Sequence, residues 1–340
     1  MTKPILTVVI PVYNSSEYLE RCFRNLSKMI GENAKNVEVL FINDGSTDTS
    51  LEQLEYEVKD KAQYKIINKA HTGVSDTRNY GISQAKGQYV TFLDSDDSYC
   101  ENFIPAFLSE IKQAPDIVWN DVINLCKDHF QKIDSETVCL SLMEMVLGIS
   151  KEKIQEGIAS KFYKTSFLRE NNLFFNSKVV ISEDTLFILQ ALTKANSIFL
   201  SNKEFYFILE EHSLNRFNPN TLKGELEYRK QVQELLDAYK ESDKKRIIND
   251  RTKINGFCTL IYRYFGPLIQ QNKCSINEGA KELRRIAIVR HYIESFNNSQ
   301  IDKTLSRRYI ILRKILAKNK YRGALIIDIL FDKLKRQTWK

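Results

Sequence analysis

Short β-rich runs alternate with helix-period segments through the first hundred residues, and this order constrains the fold more than any other feature of the chain. Between the runs, apolar residues recur at helical spacing. Such alternation is typical of a mainly parallel sheet with helices on both faces, and it predicts an α/β fold. Runs rich in β-branched and aromatic residues predict strands at Leu6–Ile10, Val37–Ile42, Tyr64–Ile67 and Tyr89–Leu93.

Polar turns follow three of these predicted strands. They are Pro11–Asn14, Asn43–Asp48 and Asp94–Asp97. Because ligands of open α/β sheets bind at the carboxyl ends of the strands, we expect the three turns to lie close together. Asn14, with Glu17 three residues later, also resembles a capping box for the first helix.

The Asp94-Ser95-Asp96 sequence predicts a cation site. Alternate residues of an extended strand end point the same way, so the two carboxylates would share one side. Mg²⁺ or Mn²⁺ suits such oxygen ligands and would bind a nucleotide diphosphate. D-x-D is also common in solvated loops. Here the motif follows a β-rich run in an α/β pattern, which favours a cation site over a solvated loop. The chain has neither G-x-G-x-x-G nor a P-loop pattern, which argues against a dinucleotide enzyme or a P-loop NTPase.

Several motifs occur in an order that resembles the family 2 glycosyltransferases. They are Val9–Asn14, Asn43–Asp48, Gly73–Gly81, Gly87–Asp97 and, more loosely, Ile181–Thr185. The resemblance covers about Met1–Ser213. It implies an inverting, nucleotide-sugar-dependent enzyme with the GT-A fold, of the bacterial cell-surface polysaccharide type.

The resemblance also implies roles for residues at the donor site. A core tyrosine is the alternative for Tyr13, and a plain salt bridge to Asp44 or Asp94 is the alternative for Arg78. Asn43 departs from the family, where many members have Asp. The implied roles are Tyr13 stacked on the base, Asp44 hydrogen-bonded to the base, Arg78 organising the acidic site, Asp94 facing the ribose, Asp96 binding the metal, and Pro11 and Ser95 contacting the nucleotide.

For the chemical step, the resemblance implies Asp184 as the base that deprotonates the acceptor hydroxyl. Glu183 and Asp184 also precede a helix-period run, so either could be a helix N-terminal charge. His212 lies near the place where some members supply a further metal or phosphate contact, and a surface histidine is the alternative. The preceding stretch, Phe205–Ile208, lacks the arginine that the family often has there.

The second part of the chain differs in charge from the first. Residues 222–340 hold 27 Lys and Arg against 13 Asp and Glu, a net +14, while residues 1–221 hold 23 against 30. We therefore predict a GT-A domain over 1–221 and a basic, all-helical domain over 222–340. The basic helices suggest an anionic partner, although a solvated surface has the same composition. The segment Arg307–Lys340, with Trp339, fits an interfacial helix on an anionic membrane, while dimerisation and binding of an anionic polymer are the competing roles.

We expect a cytoplasmic enzyme that acts at the inner face of the membrane. No apolar run approaches the ~20 residues of a transmembrane helix, and no nucleic-acid-binding module is recognisable. The expected reaction is inverting, metal-dependent transfer from a UDP-sugar to a glycan, lipid-linked or polymer acceptor. A sugar nucleotidyltransferase and a non-catalytic glycan- or membrane-binding module are the alternatives.

Overall fold

A computed structural model describes residues 3–59, 61–101, 103–155, 157–209 and 217–338. Within them the chain divides into two compact units, an α/β unit of residues 3–142, 151–177 and 183–209 and a helical unit of residues 143–150, 178–182 and 217–338. The α/β unit contains an eight-stranded sheet of order β3-β2-β1-β4-β8-β6-β9-β7. The strands are β1 Leu6–Val12, β2 Val37–Asp44, β3 Tyr64–Lys69, β4 Tyr89–Phe92, β5 Ser98–Tyr99, β6 Ile117–Trp119, β7 His129–Lys132, β8 Lys161–Lys164, β9 Ser197–Leu200 and β10 Tyr206–Phe207.

The helices follow the apolar spacing that the sequence contains. In α1, for example, Leu19, Cys22, Phe23 and Leu26 form the buried face. The helices are α1 Ser16–Ile30, α2 Ser50–Val58, α3 Val74–Gln84, α4 Phe103–Glu110, α5 Glu136–Val146, α6 Thr165–Glu170, α7 Glu183–Lys194, α8 Thr221–Asp237, α9 Asp243–Leu260, α10 Gly266–Gln270, α11 Ile276–Val289, α12 Tyr292–Asn297, α13 Arg307–Leu316 and α14 Tyr321–Thr338.

The predicted parallel sheet is confirmed. Strands β3, β2, β1 and β4 run parallel, and β8 pairs antiparallel with β4. All eight residues of β2 are buried, as expected for a central strand covered on both faces. Glycine allows α3 to pack closely on this sheet, because a Cβ at Gly81 would lie 2.4 Å from Val9 Cγ1.

The helical unit has its own hydrophobic core, to which α9 and α11–α14 contribute. Part of the apolar face of α14 is used there, since Tyr321, Ala324 and Leu325 are buried. Trp339, on which the expectation of an interfacial helix partly rests, lies outside the described residues. Among the described helices, none combines the length and apolar character needed to span a bilayer.

Candidate functional site

The carboxyl ends of β2, β1 and β4 lie side by side and define the candidate site. Val12 pairs with Asn43, so Asp44 at the end of β2 lies next to the turn after β1. On the other side of β1, the backbone N–H of Leu93 donates to Val9 O at 3.0 Å, and Asp94 follows. The structure therefore brings the three polar turns to one edge of the sheet, as the sequence predicts.

The buried carboxylate of Asp44 is held by the end of β3 and by the loop that follows it. Its Oδ1 accepts hydrogen bonds from the Lys69 ammonium and from the Thr72 N–H at 2.9 Å. Its Oδ2 accepts the Gly73 N–H at 2.9 Å and lies 2.9 Å from His71 Nδ1. Burial would raise the pKa of Asp44, but these donors, Lys69 first, hold it below the usual value. Asp44 is therefore an ionised carboxylate whose two oxygens each have two protein partners.

Tyr13 stands at the opening of this cluster. Its side chain is 46% exposed, which excludes the alternative of a core tyrosine. One face of its ring stacks on His71, with 4.1 Å between the ring centroids. Gly45 permits the close approach of the His71 loop, because its φ is +70° and a Cβ there would lie 2.9 Å from His71 N.

Arg78 on α3 is a buried cation that bridges two carboxylates. Its Nη2 donates to Asp94 Oδ1 at 3.0 Å and its Nη1 to Glu183 Oε1 at 3.3 Å. The guanidinium also lies over the Phe175 ring, 5.5 Å from the centroid. Burial lowers the pKa of Arg78, and the charges of Asp94, Glu183 and Asp184 more than offset this effect. Arg78 thus links the turn after β4 to the start of α7 and is not paired with Asp44.

Glu183 and Asp184 form the first turn of α7, and their environments differ. Burial, then the charge of Asp184, raises the pKa of Glu183 to about 7, against the opposing effect of Arg78. Asp184 Oδ1 accepts the Thr185 N–H at 2.6 Å. Its Oδ2 faces the backbone of Gly157, where a Cβ would lie 3.3 Å away. The two adjacent acids therefore differ in their contacts: Glu183 accepts a hydrogen bond from Arg78, and Asp184 accepts one from the backbone at the start of its own helix.

The turn after β4 differs from its prediction. Residues 94–97 are not an extended strand end, because the Asp97 N–H donates to Asp94 O at 3.1 Å and closes a turn. The prediction that Asp94 and Asp96 share one side of an extended strand end is therefore wrong. Asp97 is turned inward, where its carboxylate accepts the Tyr206 hydroxyl at 2.7 Å and the Leu209 N–H at 3.0 Å. Burial raises the pKa of Asp97 to about 6 despite these donors, and the charges of Asp96 and Asp94 add to the rise.

The predicted capping box at the first helix is also wrong. The N-cap of α1 is Ser15, and Asn14 has a φ of +49°. The Asn14 side-chain oxygen instead accepts the Thr47 N–H at 2.8 Å. This hydrogen bond joins the turns after β1 and β2, since a short amide in the left-handed region can reach a neighbouring backbone.

The remaining predicted site residues are placed as follows. Pro11 lies on β1 opposite Ile42, and Ser95 is buried in the turn after β4. The backbone oxygen of Asp96 accepts Arg21 Nη2 at 3.0 Å. His212 lies outside the described residues. Over the described ranges, no three His, Cys, Asp or Glu side chains are grouped so that they alone could hold a metal ion.

Several residues of the site do not appear among the sequence predictions. Lys69 is the last residue of β3, and His71 lies in the loop that follows. Because β3 ends at the same edge of the sheet as the three polar turns, strand order could have identified both residues. Gly73 belongs to the Gly73–Gly81 motif, but the sequence assigns it no contact with Asp44. Tyr206 and Phe175 come from segments distant in sequence. Asn79 fixes the latter, since its amide donates to Phe175 O at 2.9 Å and accepts the Phe175 N–H at 2.7 Å.

Comparison with known proteins identifies the class. The model of the glycosyl transferase family 2 matches residues 7–180, and the chain therefore belongs to this family. The chain is 25% identical over 299 residues to the glycosyltransferase EpsJ of Bacillus subtilis, a match that covers 83% of this chain and 82% of EpsJ. It is thus a glycosyltransferase rather than a nucleotidyltransferase or a non-catalytic module.

More distant relatives include a transferase named for its polymer acceptor. The poly(ribitol-phosphate) β-N-acetylglucosaminyltransferase TarS of Staphylococcus aureus is 27% identical over 210 residues, 59% of this chain but 35% of TarS. The structure of TarS residues 1–349 in complex with UDP-GlcNAc matches with a TM-score of 0.63 and 19% identity, over 94% of this chain and 90% of that one.

A second solved structure extends the comparison. The mannosyltransferase PcManGT of Pyrobaculum calidifontis, in complex with GDP-Man and Mn²⁺, has a TM-score of 0.52 and 12% identity, over 98% of this chain and 89% of that one. At these identities the likeness is one of fold. The TarS structures match over nearly the whole chain, so the predicted GT-A fold with a helical C-terminal part is confirmed.

Proposed function

We propose that this enzyme transfers a sugar from a UDP-sugar to an acceptor hydroxyl with inversion, and that it requires Mn²⁺ or Mg²⁺. One observation carries the proposal. Arg78 joins Asp94, in the turn after β4, to Glu183, directly beside Asp184. This bridge holds the turn that contains Asp94, where the donor would bind, close to Asp184, the candidate base.

The donor nucleotide binds over the turns after β1 and β2. The exposed Tyr13 ring offers its other face to a pyrimidine, because the first face is covered by His71. Asp44 holds the loop that contains His71 and Gly73. Its carboxylate also accepts a hydrogen bond from the base of the nucleotide. Pro11, Asp94 and Ser95 contact the nucleotide and its ribose. The TarS complex with UDP-GlcNAc supports the choice of uridine.

Asp96 supplies the protein ligand for the metal, with His212 as a second ligand. Mg²⁺ in phosphate-transfer sites is usually held by one or two carboxylates and by substrate phosphates. Asp96 with a diphosphate meets this requirement without a cluster of three protein ligands. When bound, the metal neutralises the charge that develops on the leaving diphosphate. The Mn²⁺ complex of PcManGT supports the choice of ion.

Asp184 is the base of the reaction. As the acceptor oxygen bonds to the anomeric carbon, its proton passes to Asp184 Oδ2, and the bond between that carbon and the diphosphate oxygen breaks with its electron pair leaving on the diphosphate. The Thr185 N–H occupies Oδ1 and orients the carboxylate. A side chain at position 157 would crowd Oδ2, because a Cβ there would lie 3.3 Å from this oxygen. Attack from the face opposite the diphosphate produces inversion.

The acceptor is a glycan, a lipid-linked sugar or a polymer. TarS, which is named for transfer to poly(ribitol-phosphate), supports a cell-envelope polymer pathway. The location is the cytoplasm, at the inner face of the cell membrane, where the sugar nucleotide and a growing envelope polymer are both accessible. The helical unit is a second domain, and its basic residues serve a partner other than the donor.

A donor screen tests this proposal. UDP- and GDP-sugars are incubated with the enzyme and Mn²⁺ or Mg²⁺, and release of nucleotide diphosphate is followed with and without EDTA. We expect a UDP-sugar to be hydrolysed, and EDTA to stop the reaction. Asp96→Ala should abolish the metal-dependent part of UDP binding measured by calorimetry, because it removes the carboxylate ligand.

The matched control is Asp134→Asn, which neutralises an exposed aspartate outside the site. It should bind UDP and Mn²⁺ as the unmodified enzyme does. Metal-dependent UDP binding that survives in Asp96→Ala would disprove the assigned ligand. Hydrolysis of every UDP-sugar at equal rates with and without EDTA would disprove metal dependence.

A further inference from the structure

The end of α11 exposes apolar and cationic side chains side by side. Ile288 and Val289 are 52% and 58% exposed. Arg284 and Arg285 lie one helical turn earlier on the same side, since residues three and four apart are neighbours on a helix, and Arg290 follows directly. All three arginines are exposed. We refer to these five residues as the α11 patch.

A small cavity opens within this patch. It has a volume of about 80 Å³ and is lined by Leu226, Arg285, Ile286, Val289 and Arg290. Sites for whole small-molecule ligands typically measure about 300–1,000 Å³, so a sugar nucleotide does not fit. Two guanidinium groups beside apolar carbons suit one phosphate group with an apolar neighbour.

Other cations collect at the same end of the helical unit. Helices α11 and α14 run antiparallel. Gly279, early in α11, lies against Leu325, where a Cβ would be 3.2 Å from Leu325 Cδ1, while Arg284, later in α11, lies near Tyr321 at the beginning of α14. Burial raises the pKa of Tyr321, and the charge of Arg284 acts against this rise. The beginning of α14 therefore adjoins the α11 patch. The exposed cations there are Lys318, Lys320 and Arg322.

Charge decides which partner fits this surface. A second copy of the chain would bring another region of net +14 toward the first, and like charges repel. A soluble polyanion would engage the arginines and leave Ile288 and Val289 in water. An anionic bilayer uses both groups, because apolar side chains enter the interface while cations meet lipid phosphates. The exposed pair between Arg285 and Glu282 is weak enough for a phosphate to compete with it.

We propose that the α11 patch docks the helical unit onto an anionic phospholipid bilayer. Ile288 and Val289 enter the interfacial region, and Arg284, Arg285 and Arg290 bind headgroup phosphates. The surface differs from the interfacial helix expected from the sequence, which begins at Arg307. The inference is independent of the proposed reaction, because none of its residues belongs to the α/β unit.

Vesicle flotation of the full-length protein tests the proposal. Vesicles of phosphatidylglycerol and phosphatidylcholine in equal parts are compared with vesicles of phosphatidylcholine alone, at low and high salt. We expect binding to the anionic vesicles, weakened by salt. Replacing Arg284 and Arg285 by Gln should lower the partition coefficient roughly 30-fold, since each cation near an anionic surface contributes about fivefold. Ile288→Ser with Val289→Ser should also release the protein.

The matched control is Leu330→Ser with Leu334→Ser on α14. These two side chains are 52% and 59% exposed, like Ile288 and Val289, and the double variant should bind vesicles normally. All of these substitutions are at exposed positions, and circular dichroism verifies the fold. The proposal is overturned if the protein floats with neither vesicle type, if it floats equally with both, or if only the α14 variant loses binding. It is also overturned if the Ile288→Ser, Val289→Ser variant floats with anionic vesicles as the unmodified protein does, because a site for a soluble polyanion would need only the arginines.

Discussion

Replacing Glu183 by Gln should make the α/β unit more stable at high pH relative to the unmodified enzyme. Glu183 lies between a cation and an anion, with Arg78 at 3.3 Å and Asp184 as its neighbour in sequence. Burial, then the charge of Asp184, raises its pKa to about 7 from the ordinary 4.5. The fold therefore favours the protonated glutamate, and ionisation above neutral pH costs stability.

The size and sign of the effect follow from linkage. A folded-state pKa of about 7 against 4.5 in the unfolded chain corresponds to about 3 kcal/mol. Because the folded-state pKa is the higher one, this contribution is fully present below pH 4.5 and is lost as pH rises through about 7. Glutamine does not titrate. The free energy of unfolding of Glu183→Gln, minus that of the unmodified protein, should therefore increase by about 3 kcal/mol from about pH 4.5 to about pH 8.

Urea unfolding followed by Trp119 fluorescence measures this difference. Trp119 is fully buried in the α/β unit, and a Trp339→Phe background removes the other tryptophan of the chain. The effect of Glu183→Gln is then measured again in an Asp184→Asn background. The stability difference should increase less with pH there, because the charge of Asp184 no longer raises the pKa of Glu183. A difference that stays constant with pH would refute the placement of Glu183 in a buried, anionic environment.

Three further predictions concern the base, the nucleotide and the sheet. Asp184→Asn should lower kcat about 10²- to 10⁴-fold and leave the Kd for UDP unchanged, since a base acts only in the chemical step; full turnover would contradict its role. Tyr13→Ala should weaken UDP binding roughly 5- to 150-fold in calorimetry by removing a stacking surface, whereas Tyr13→Phe should bind normally. Stacking would be contradicted if Tyr13→Ala bound UDP as tightly as the unmodified enzyme. Gly81→Ala should destabilise the protein by about 1–3 kcal/mol in chemical denaturation, because the added Cβ would lie 2.4 Å from the buried Val9; an unchanged or raised midpoint would contradict this packing.

Local patterns were sufficient to predict the strands and the shared edge of the three turns. Runs such as Val37–Ile42 can be buried on both faces of a sheet, and the carboxyl ends of parallel strands necessarily meet. The position of Arg78 on α3 also follows from helix periodicity. These features depend on residues that are near one another in the chain.

Features that depend on contacts between distant segments could not be predicted in this way. The bridge from Arg78 to Glu183 spans 105 residues, and the hydrogen bond from Tyr206 to Asp97 spans 109. The inward turn of Asp97 depends on that tyrosine, so an extended Asp94–Asp96 segment was the wrong expectation. The partner of Asn14, Thr47, lies on another turn, so the spacing of Asn14 and Glu17 predicts a helix cap that the structure does not have.

Diffraction from crystals grown with UDP and Mn²⁺ would show directly whether Asp96 binds the metal and Tyr13 binds the base. We expect an anomalous manganese peak within bonding distance of an Asp96 carboxylate oxygen, with the diphosphate on the same ion and the uracil ring on Tyr13. A manganese peak away from the turn after β4, or uridine bound elsewhere than beside Tyr13 and Asp44, would contradict it.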